Sequence, residues 1–444
     1  MKNARLGFAW VLVVLLMAIS VSTADVSAAE ARRPNIILIL ADDYGIPGVG
    51  CYGGIYKTPH LDALAADGLR FTHAYSMPLC APTRGVVLSG RYPFRNGVRD
   101  NGGGGNYKPT DSPSIAAMLK SAGYATAVAG KWRQLSYLKT PDDARAWGFD
   151  EFMIWDVSVN PKGERYWDPA YNHNGKPVDA GDKYGPDLLH DFVVDFIERH
   201  RDEPFFVYYP TPLVHSPLLH TPDSGKQGGN RYADNVAYLD KLVGKLATEL
   251  DRLKLRENTM LVFVGDNGST GDANNKIDGK VIDGAKGSML EGGSRVPLIV
   301  HWKGTTPQGK VIDDPVDVSD FYATFAEAAG AKLPADVKFD GHSFAPQLRG
   351  ETGTPRSTAF VQLGDQWFVR SKSWKLDQAG TLYSMKNAPY EQIAVAADSQ
   401  DPAAAAARQE LQAALDEVGP SAAKSKAGDA KPKKKGRRAA KPAP

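Results

Sequence analysis

Cysteine is scarce in this sequence, which has only Cys51 and Cys80 among its 444 residues. A small scaffold held together by disulfide bonds is therefore excluded, and a chain with 42% apolar residues can bury a large core without such bonds. Beyond residue 30 the sequence also lacks an apolar run long enough to span a bilayer, and it has no apparent internal repeat. These absences favour a large globular fold over a multi-span membrane protein or a repeat array.

The first residues have the layout of a secretory signal peptide. Met1, Lys2 and Arg5 precede an apolar run over residues 6–21, and small residues follow as far as Ala29. This pattern predicts a signal peptide over residues 1–29 and an exported protein, periplasmic or extracellular. The alternative is a membrane anchor that is not cleaved.

The formal net charge of +2 hides an asymmetry between the two parts of the chain. Residues 424–441 contain nine Lys or Arg and one acid, Asp429, so the remaining residues carry about −6. We expect residues 419–444 to form a disordered basic tail. This tail either contacts anionic polymers or is a solvated extension, and nothing in it indicates a specific nucleic-acid partner.

Two apolar runs of strand length end in oxygen-bearing side chains. Residues 35–40 lead into Asp42 and Asp43, and residues 260–264 lead into Asp266 and Asn267. Open α/β sheets place their sites beyond the carboxyl ends of such strands. Either motif alone is also typical of a helix cap or a turn, but together they predict the two halves of one metal site.

A short motif adds a chemical group to this site. Residues 79–85 read Leu-Cys-Ala-Pro-Thr-Arg-Gly, and their Cys-x-Pro-x-Arg core resembles the signature of the type I sulfatases of the alkaline-phosphatase-like superfamily. The resemblance implies that a formylglycine-generating enzyme oxidises Cys80 to an aldehyde. One hydroxyl of the hydrated aldehyde would attack sulfur, and the other would then expel sulfate. A Cys51–Cys80 disulfide would abolish this chemistry, so we expect Cys51 to be a small buried residue.

The resemblance extends through residues 34–350 and assigns further roles. Lys131 in Gly-Lys-Trp and Lys286 in Lys-Gly-Ser match lysines that hold the sulfate. His215 matches a histidine that protonates the leaving alcohol, because its ordinary pKa near 6.5 lets it carry a proton. Arg84 would hold the aldehyde hydrate. The glycine-rich segment 101–106 lacks the lysine of a phosphate-binding loop and predicts a flexible loop beside the substrate entrance.

The resemblance also implies the ligands of a metal ion, which are Asp42, Asp43, Asp266, Asn267 and the converted Cys80. A shell made only of oxygen atoms favours a hard cation, calcium first and magnesium second. His73, His220 and His342 are expected to be structural or to contact the substrate.

One residue departs from the family pattern. The family usually has Gly-Lys-Trp-His, and Arg133 replaces that histidine here. A guanidinium cannot remove a proton near neutral pH, but it can hold an oxyanion. Arg133 therefore either binds sulfate beside residue 80 or reaches an acidic group of the substrate.

The predicted fold is α/β, with a large mixed sheet flanked by helices on both faces and a smaller C-terminal α+β domain. The predicted boundaries are a catalytic domain over residues 33–350 and a small domain over residues 355–418, with short strands near 359–361 and 367–369 and a helix from 402 to 418. The predicted activity is hydrolysis of a sulfate monoester of a small molecule or glycan, most often a carbohydrate. The alternatives are a phosphate or phosphonate ester hydrolase and a non-catalytic binder of sulfated glycan.

Overall fold

The computed structural model describes residues 33–103, 106–132, 143–156, 164–271 and 273–420. The predicted signal peptide, Arg133 and all but two residues of the predicted basic tail lie outside these ranges. Every helix within them is too short or too polar to span a bilayer.

The described strands are, in chain order, β1 Asn35–Ala41, β2 Leu69–Phe71, β3 Ala74–Tyr75, β4 Ala125–Lys131, β5 Glu151–Trp155, β6 Tyr171–His173, β7 Lys176–Pro177, β8 Phe205–Tyr209, β9 Thr259–Gly265, β10 Lys276–Ile277, β11 Lys280–Val281, β12 Leu298–His301, β13 Lys310–Ile312, β14 Val316–Asp317, β15 Ala359–Leu363, β16 Gln366–Arg370, β17 Trp374–Asp377, β18 Leu382–Ser384 and β19 Ile393–Ala394. The described α-helices are α1 Pro59–Asp67, α2 Cys80–Ser89, α3 Pro93–Asn96, α4 Ile115–Ser121, α5 Gly185–Arg199, α6 Arg231–Arg252, α7 Glu291–Ser294, α8 Asp320–Ala329, α9 Ala345–Leu348 and α10 Pro402–Val418.

The large sheet is mixed, as predicted. Its ten strands follow the order β13-β2-β12-β9-β1-β8-β4-β5-β6-β7. The central strands β9, β1, β8, β4 and β5 run parallel, and antiparallel strands join them on both sides. The parallel centre brings the carboxyl ends of these strands to one edge, where the predicted site residues follow them.

Helices cover both faces of this sheet because the side chains of β1 alternate between two cores. Ile36, Leu38 and Leu40 belong to a core that also includes residues of α2, α4 and α8. Ile37 and Ile39 belong to the opposite core, which includes residues of α1, α5 and α6. A strand buried on both faces reads as a continuous apolar run, and that run made β1 predictable.

A separate five-stranded antiparallel sheet, in the order β15-β16-β17-β18-β19, lies near the C-terminus. Its apolar residues and those of α10 continue the core that contains α2 and α8. The antiparallel sheet and the helix Pro402–Val418 confirm the predicted fold class. The domain boundary near residue 350 stays a prediction.

Candidate active site

The register of the large sheet aligns the two oxygen-bearing motifs. Ala41 at the end of β1 is the parallel partner of Gly265 at the end of β9, so the next residues, Asp42 and Asp266, lie side by side. We call Asp42, Asp43, Asp266 and Asn267 the oxygen cluster. All four side chains are buried, with exposed fractions of 1% or less.

Asp43 turns sharply out of β1 to join this cluster. Its φ of 59° lies in the left-handed region, which Asp tolerates better than most residues. Its backbone N–H donates to Oδ1 of Asp266 over 2.9 Å. The Asn267 side-chain amide donates to Oδ1 of Asp43 over 3.0 Å. The two strand ends are therefore tied together by direct hydrogen bonds.

Cys80 is the first residue of the fully buried helix α2 and faces the oxygen cluster. Its Sγ atom lies 3.4 Å from Oδ1 of Asp42 and 3.6 Å from Oδ1 of Asp43. Burial, followed by the charge of Asp266, raises the pKa of the thiol far above its usual value. The protonated form of the unmodified thiol is therefore favoured in the free site.

Three cations neutralise the three carboxylates. Arg84, one turn along α2 from Cys80 and fully buried, donates from Nη2 to Oδ2 of Asp266 over 2.7 Å. The Nζ atom of Lys131, at the end of β4, lies 2.7 Å from Oδ2 of Asp42. The remaining pair joins Nζ of Lys286 to Oδ1 of Asp43 over 2.5 Å. The predicted residues Arg84, Lys131 and Lys286 thus converge on one cluster.

The carboxylates are not equivalent electrostatically. Burial alone would raise the pKa of Asp42, but the charge of Lys131, with smaller contributions from other nearby cations, holds that pKa well below its usual range. Burial and the negative charge of Asp42 raise the pKa of Asp266 to about 6. Asp42 therefore stays ionised, whereas full ionisation of Asp266 is favoured by additional positive charge.

His215 follows β8 and borders the oxygen cluster. Its Nε2 atom lies 3.8 Å from Oδ2 of Asp43. Its Nδ1 atom contacts both Nη1 of Arg165 and the carbonyl oxygen of Ser216. Burial lowers the pKa of His215, so its ordinary value near 6.5 does not apply in the free site. The lowered pKa favours neutral imidazole in the free site, and the role of His215 as a general acid stays a prediction.

The oxygen cluster has the donors that a hard cation requires. Oδ2 of Asp43 and Oδ1 of Asn267 are buried and lack a hydrogen-bond partner among the described residues. Ligand atoms of Asp42, Asp43, Cys80 and His215 also come within 4.8 Å of one another. Both oxygens of Asp266 already accept hydrogen bonds, one from the Asp43 N–H and one from Arg84. An Asp266 oxygen that bound a metal would therefore also keep one of these donors. The residues present therefore fit a divalent ion.

Glycine allows two loops of the site to meet. A Cβ atom on Gly268, directly after Asn267, would lie 1.7 Å from the carbonyl oxygen of Gly292. Gly268 also donates its N–H to the carbonyl of Gly293. This close backbone approach holds the Asn267 turn against the segment that follows Lys286.

Sequence reasoning missed two contacts of the site. The Asn101 side chain accepts a hydrogen bond from the N–H of Ala81 over 3.0 Å, so the glycine-rich loop reaches the start of α2. Arg165 contacts His215 across 50 positions of sequence. No motif marks Arg165, and the glycine-rich pattern that includes Asn101 does not reveal its contact with α2. Cys51 was predicted to be buried but is only partly so, because it lies in a short turn at the edge of the core, and both cysteines are free.

Comparisons with known proteins agree with this geometry. A family model described as Sulfatase matches residues 34–331. Human arylsulfatase A is 32% identical over 371 residues, which cover 75% of this chain and 71% of that enzyme. The N-acetylgalactosamine-6-O-sulfatase of Bacteroides thetaiotaomicron is 29% identical over 425 residues, covering 78% of this chain and 82% of that enzyme.

Solved structures give the same result. The crystal structure of Ps i-CgsB superposes with a TM-score of 0.73 at 28% identity, covering 87% of this chain and 92% of that chain. A second structure of Ps i-CgsB, in complex with k-i-k-neocarrahexaose, gives a TM-score of 0.72. The chain therefore belongs to the formylglycine-dependent sulfatase family of sulfuric ester hydrolases, within the alkaline-phosphatase-like superfamily.

Proposed function

We propose that this chain is an exported sulfatase that hydrolyses a carbohydrate sulfate ester through formylglycine at position 80 and a divalent cation. The observation that carries the proposal is the position of Cys80. Its Sγ atom faces Asp42 and Asp43 at the start of a buried helix, within a cage of paired cations. The Sγ atom stands in for the oxygen atoms of the aldehyde hydrate, whose two hydroxyls would attack sulfur and then expel sulfate.

Arg84 is proposed to fix the nucleophile. It lies four positions after Cys80 on the same helix, so both side chains lie on one face of α2. Its guanidinium is held by Oδ2 of Asp266 through Nε and Nη2, at 3.1 and 2.7 Å. Held in this way, Arg84 offsets the carboxylate charge and orients the hydrate.

The oxygen cluster, together with the converted residue 80, would hold the divalent ion, with calcium as the first choice and magnesium as the second. When bound, this ion would withdraw charge from the sulfate and favour the ionised nucleophile. The unpartnered Oδ2 of Asp43 and Oδ1 of Asn267 are the donors most available to it.

Lys131 and Lys286 would grip the sulfate oxygens. Each ammonium lies at the wall of the cluster, on Asp42 and Asp43 respectively, and each is a flexible donor of three hydrogen bonds. His215 would give a proton to the leaving oxygen, since the negative charge of bound sulfate favours its protonated ring. Arg133, which lies outside the described residues, is proposed to bind sulfate or an acidic group of the substrate.

The nature of the substrate is inferred from the named relatives. One relative is named for the 6-O-sulfate of N-acetylgalactosamine, and one solved structure holds a neocarrahexaose. These names favour a sulfated glycan, and the apolar N-terminal segment favours export to the periplasm or beyond. The two interpretations of the basic tail, contact with anionic polymers and a solvated extension, both stay open.

Peptide mass spectrometry combined with paired assays tests the mechanism. Active protein should have residue 80 lighter by about 18 Da than cysteine, a change distinct from the usual oxidation products. Aryl sulfate should be hydrolysed faster than the matching aryl phosphate, and Cys80→Ala should abolish turnover. An intact thiol in fully active protein would contradict the mechanism, and a preference for phosphate would favour a phosphoryl hydrolase. Tight glycan binding without turnover in converted protein would favour a non-catalytic binder.

A further inference from the structure

Arg165 lies at the edge of the site, one imidazole ring away from the oxygen cluster. Its Nη1 atom contacts Nδ1 of His215 and lies 3.5 Å from the carbonyl oxygen of Ser216. The other ring nitrogen of His215 faces Asp43. A group bound to Arg165 would therefore lie beside the position of the leaving oxygen.

The surrounding structure fixes Arg165 in this place. Its guanidinium lies 4.4 Å from the ring centre of Trp155, which ends β5 in register with Lys131 on β4. The next residue, Tyr166, is buried and donates to the carbonyls of Pro212 and His215 over 2.9 and 2.7 Å. Stacking and these backbone ties reduce the freedom that Arg165 would lose on binding a ligand.

The charge of Arg165 is not compensated as the other charges of the site are. Arg84, Lys131 and Lys286 each contact a carboxylate of the oxygen cluster. Within the ranges that the structure describes, none of the ion pairs within 4.0 Å includes Arg165. Glu164, its exposed neighbour in the sequence, is not among the described ion-pair partners of Arg165. The half-buried guanidinium therefore contacts an imidazole nitrogen and a carbonyl oxygen but no carboxylate, and a bound anion would compensate its charge.

We propose that Arg165 is a specificity-determining residue that binds a second anionic group of the substrate, next to the sulfate being hydrolysed. This inference rests on the proposed sulfatase function and adds a substrate class: sulfate esters that also carry a carboxylate or a further sulfate. The planar guanidinium can donate two parallel hydrogen bonds to either group. Uronate-containing and multiply sulfated glycans both have this chemistry.

The experiment uses aryl sulfates, which separate the second anion from the identity of the sugar. The substrates are the 2-, 3- and 4-carboxyphenyl sulfates, the corresponding carboxamide-substituted phenyl sulfates, the phenylene bis-sulfates and phenyl sulfate. Each carboxylate is compared with its carboxamide, and each bis-sulfate with phenyl sulfate. The measured quantity is the ratio of kcat/KM within each pair, so a general loss of activity cancels. For at least one ring position we expect this ratio to fall about ten- to a hundredfold in Arg165→Ala, mainly through KM. Arg165→Lys should keep only part of the wild-type preference for the substrate with the second anionic group.

Arg199→Ala is the matched control, because Arg199 pairs with Glu151 at the opposite end of β5 and should leave the ratio unchanged. A ratio near one in the wild-type protein at every ring position, or a ratio that survives Arg165→Ala, overturns the inference. Preference for carboxylates alone identifies a uronate, and preference for bis-sulfates alone identifies a second sulfate. A different result would contradict the proposed function together with this inference. In that case protein with converted residue 80 would hydrolyse none of these esters, phenyl sulfate included.

Discussion

Arg370 on β16 and Glu291 on α7 form a buried ion pair, in which Nε of Arg370 lies 2.7 Å from Oε1 of Glu291. The two side chains are exposed by only 1% and 4%. A second cation of the small sheet, Lys375, donates to the carbonyl of Met289. Because Met289 and Glu291 directly follow the turn that bears Lys286, the C-terminal sheet supports one wall of the active site.

Removing the cation of this pair should destabilise the protein. Arg370→Met keeps much of the side-chain volume but leaves Glu291 with one ion-pair partner, Arg295 at 3.2 Å, and the long hydrogen bonds from the Tyr75 hydroxyl. We expect the free energy of unfolding, measured in urea, to fall by about 3 kcal/mol, because the variant leaves a poorly compensated buried charge. Arg99→Met is the control, since its partner Asp365 is 68% exposed at the surface and the pair should contribute less than about 1 kcal/mol. Equal effects in the two variants would contradict a structural role for the buried pair.

The same pair should make stability depend on pH. Burial would raise the pKa of Glu291, but Arg370 and Arg295 outweigh it and lower that pKa to about 2. A depressed carboxyl pKa stabilises the folded protein above the unfolded pKa, and this stabilisation is lost as pH falls toward the folded pKa. The contribution should therefore decrease by about 2 kcal/mol between pH 6 and pH 3.

Urea unfolding of the wild-type protein and Glu291→Gln across this range measures that contribution. The difference in free energy of unfolding between the two proteins should shrink as pH falls. Glu351→Gln is a control, because that exposed glutamate pairs only at the surface with Arg349. A difference that stays constant from pH 6 to pH 3 would show that Glu291 does not titrate as inferred.

The oxygen cluster was predictable because its geometry follows from strand order. Parallel strands that end in Asp42 and Asp266 must present them at one edge, and the register confirms that they are neighbours. The lengths of β1 and β9 followed equally directly from their apolar runs. The residues that the local pattern places at the strand ends are the residues that meet in the fold, so the sequence was nearly sufficient to predict the oxygen cluster.

Other contacts depend on loop paths that no pattern encodes. The Arg165 contact with His215 requires Tyr166 to bind the carbonyls of a segment about 50 positions away. The Glu291 pair with Arg370 spans 79 positions and joins α7 to the small sheet. The lowered pKa of His215 likewise results from burial, which a single histidine in the sequence does not reveal. These features are set by packing between elements rather than by periodicity.

Asp266→Ala tests the shared use of that residue by the proposed metal site and Arg84. The change removes an oxygen ligand and leaves the guanidinium of Arg84 without its closest carboxylate, while Asp42 remains 3.7 Å away. We expect kcat/KM for an aryl sulfate to fall at least a hundredfold, and excess calcium should not restore it fully. Bound metal, measured by elemental analysis after dialysis, should also fall. Asp365→Ala is the surface control, and near-wild-type activity and metal content in Asp266→Ala would contradict the two-strand site.

Arg133 permits a prediction from the sequence alone. If it occupies the position of the family histidine, its fixed charge holds sulfate but cannot remove a proton. Arg133→Ala should then weaken turnover of every sulfate ester, whereas Arg133→His should speed release of sulfate from residue 80. If Arg133 instead reaches an outer acidic group, Arg133→Ala should penalise a large acidic glycan far more than a small aryl sulfate, which lacks that group. The kcat/KM values of both substrates separate these roles, and near-wild-type values for both would remove Arg133 from the site.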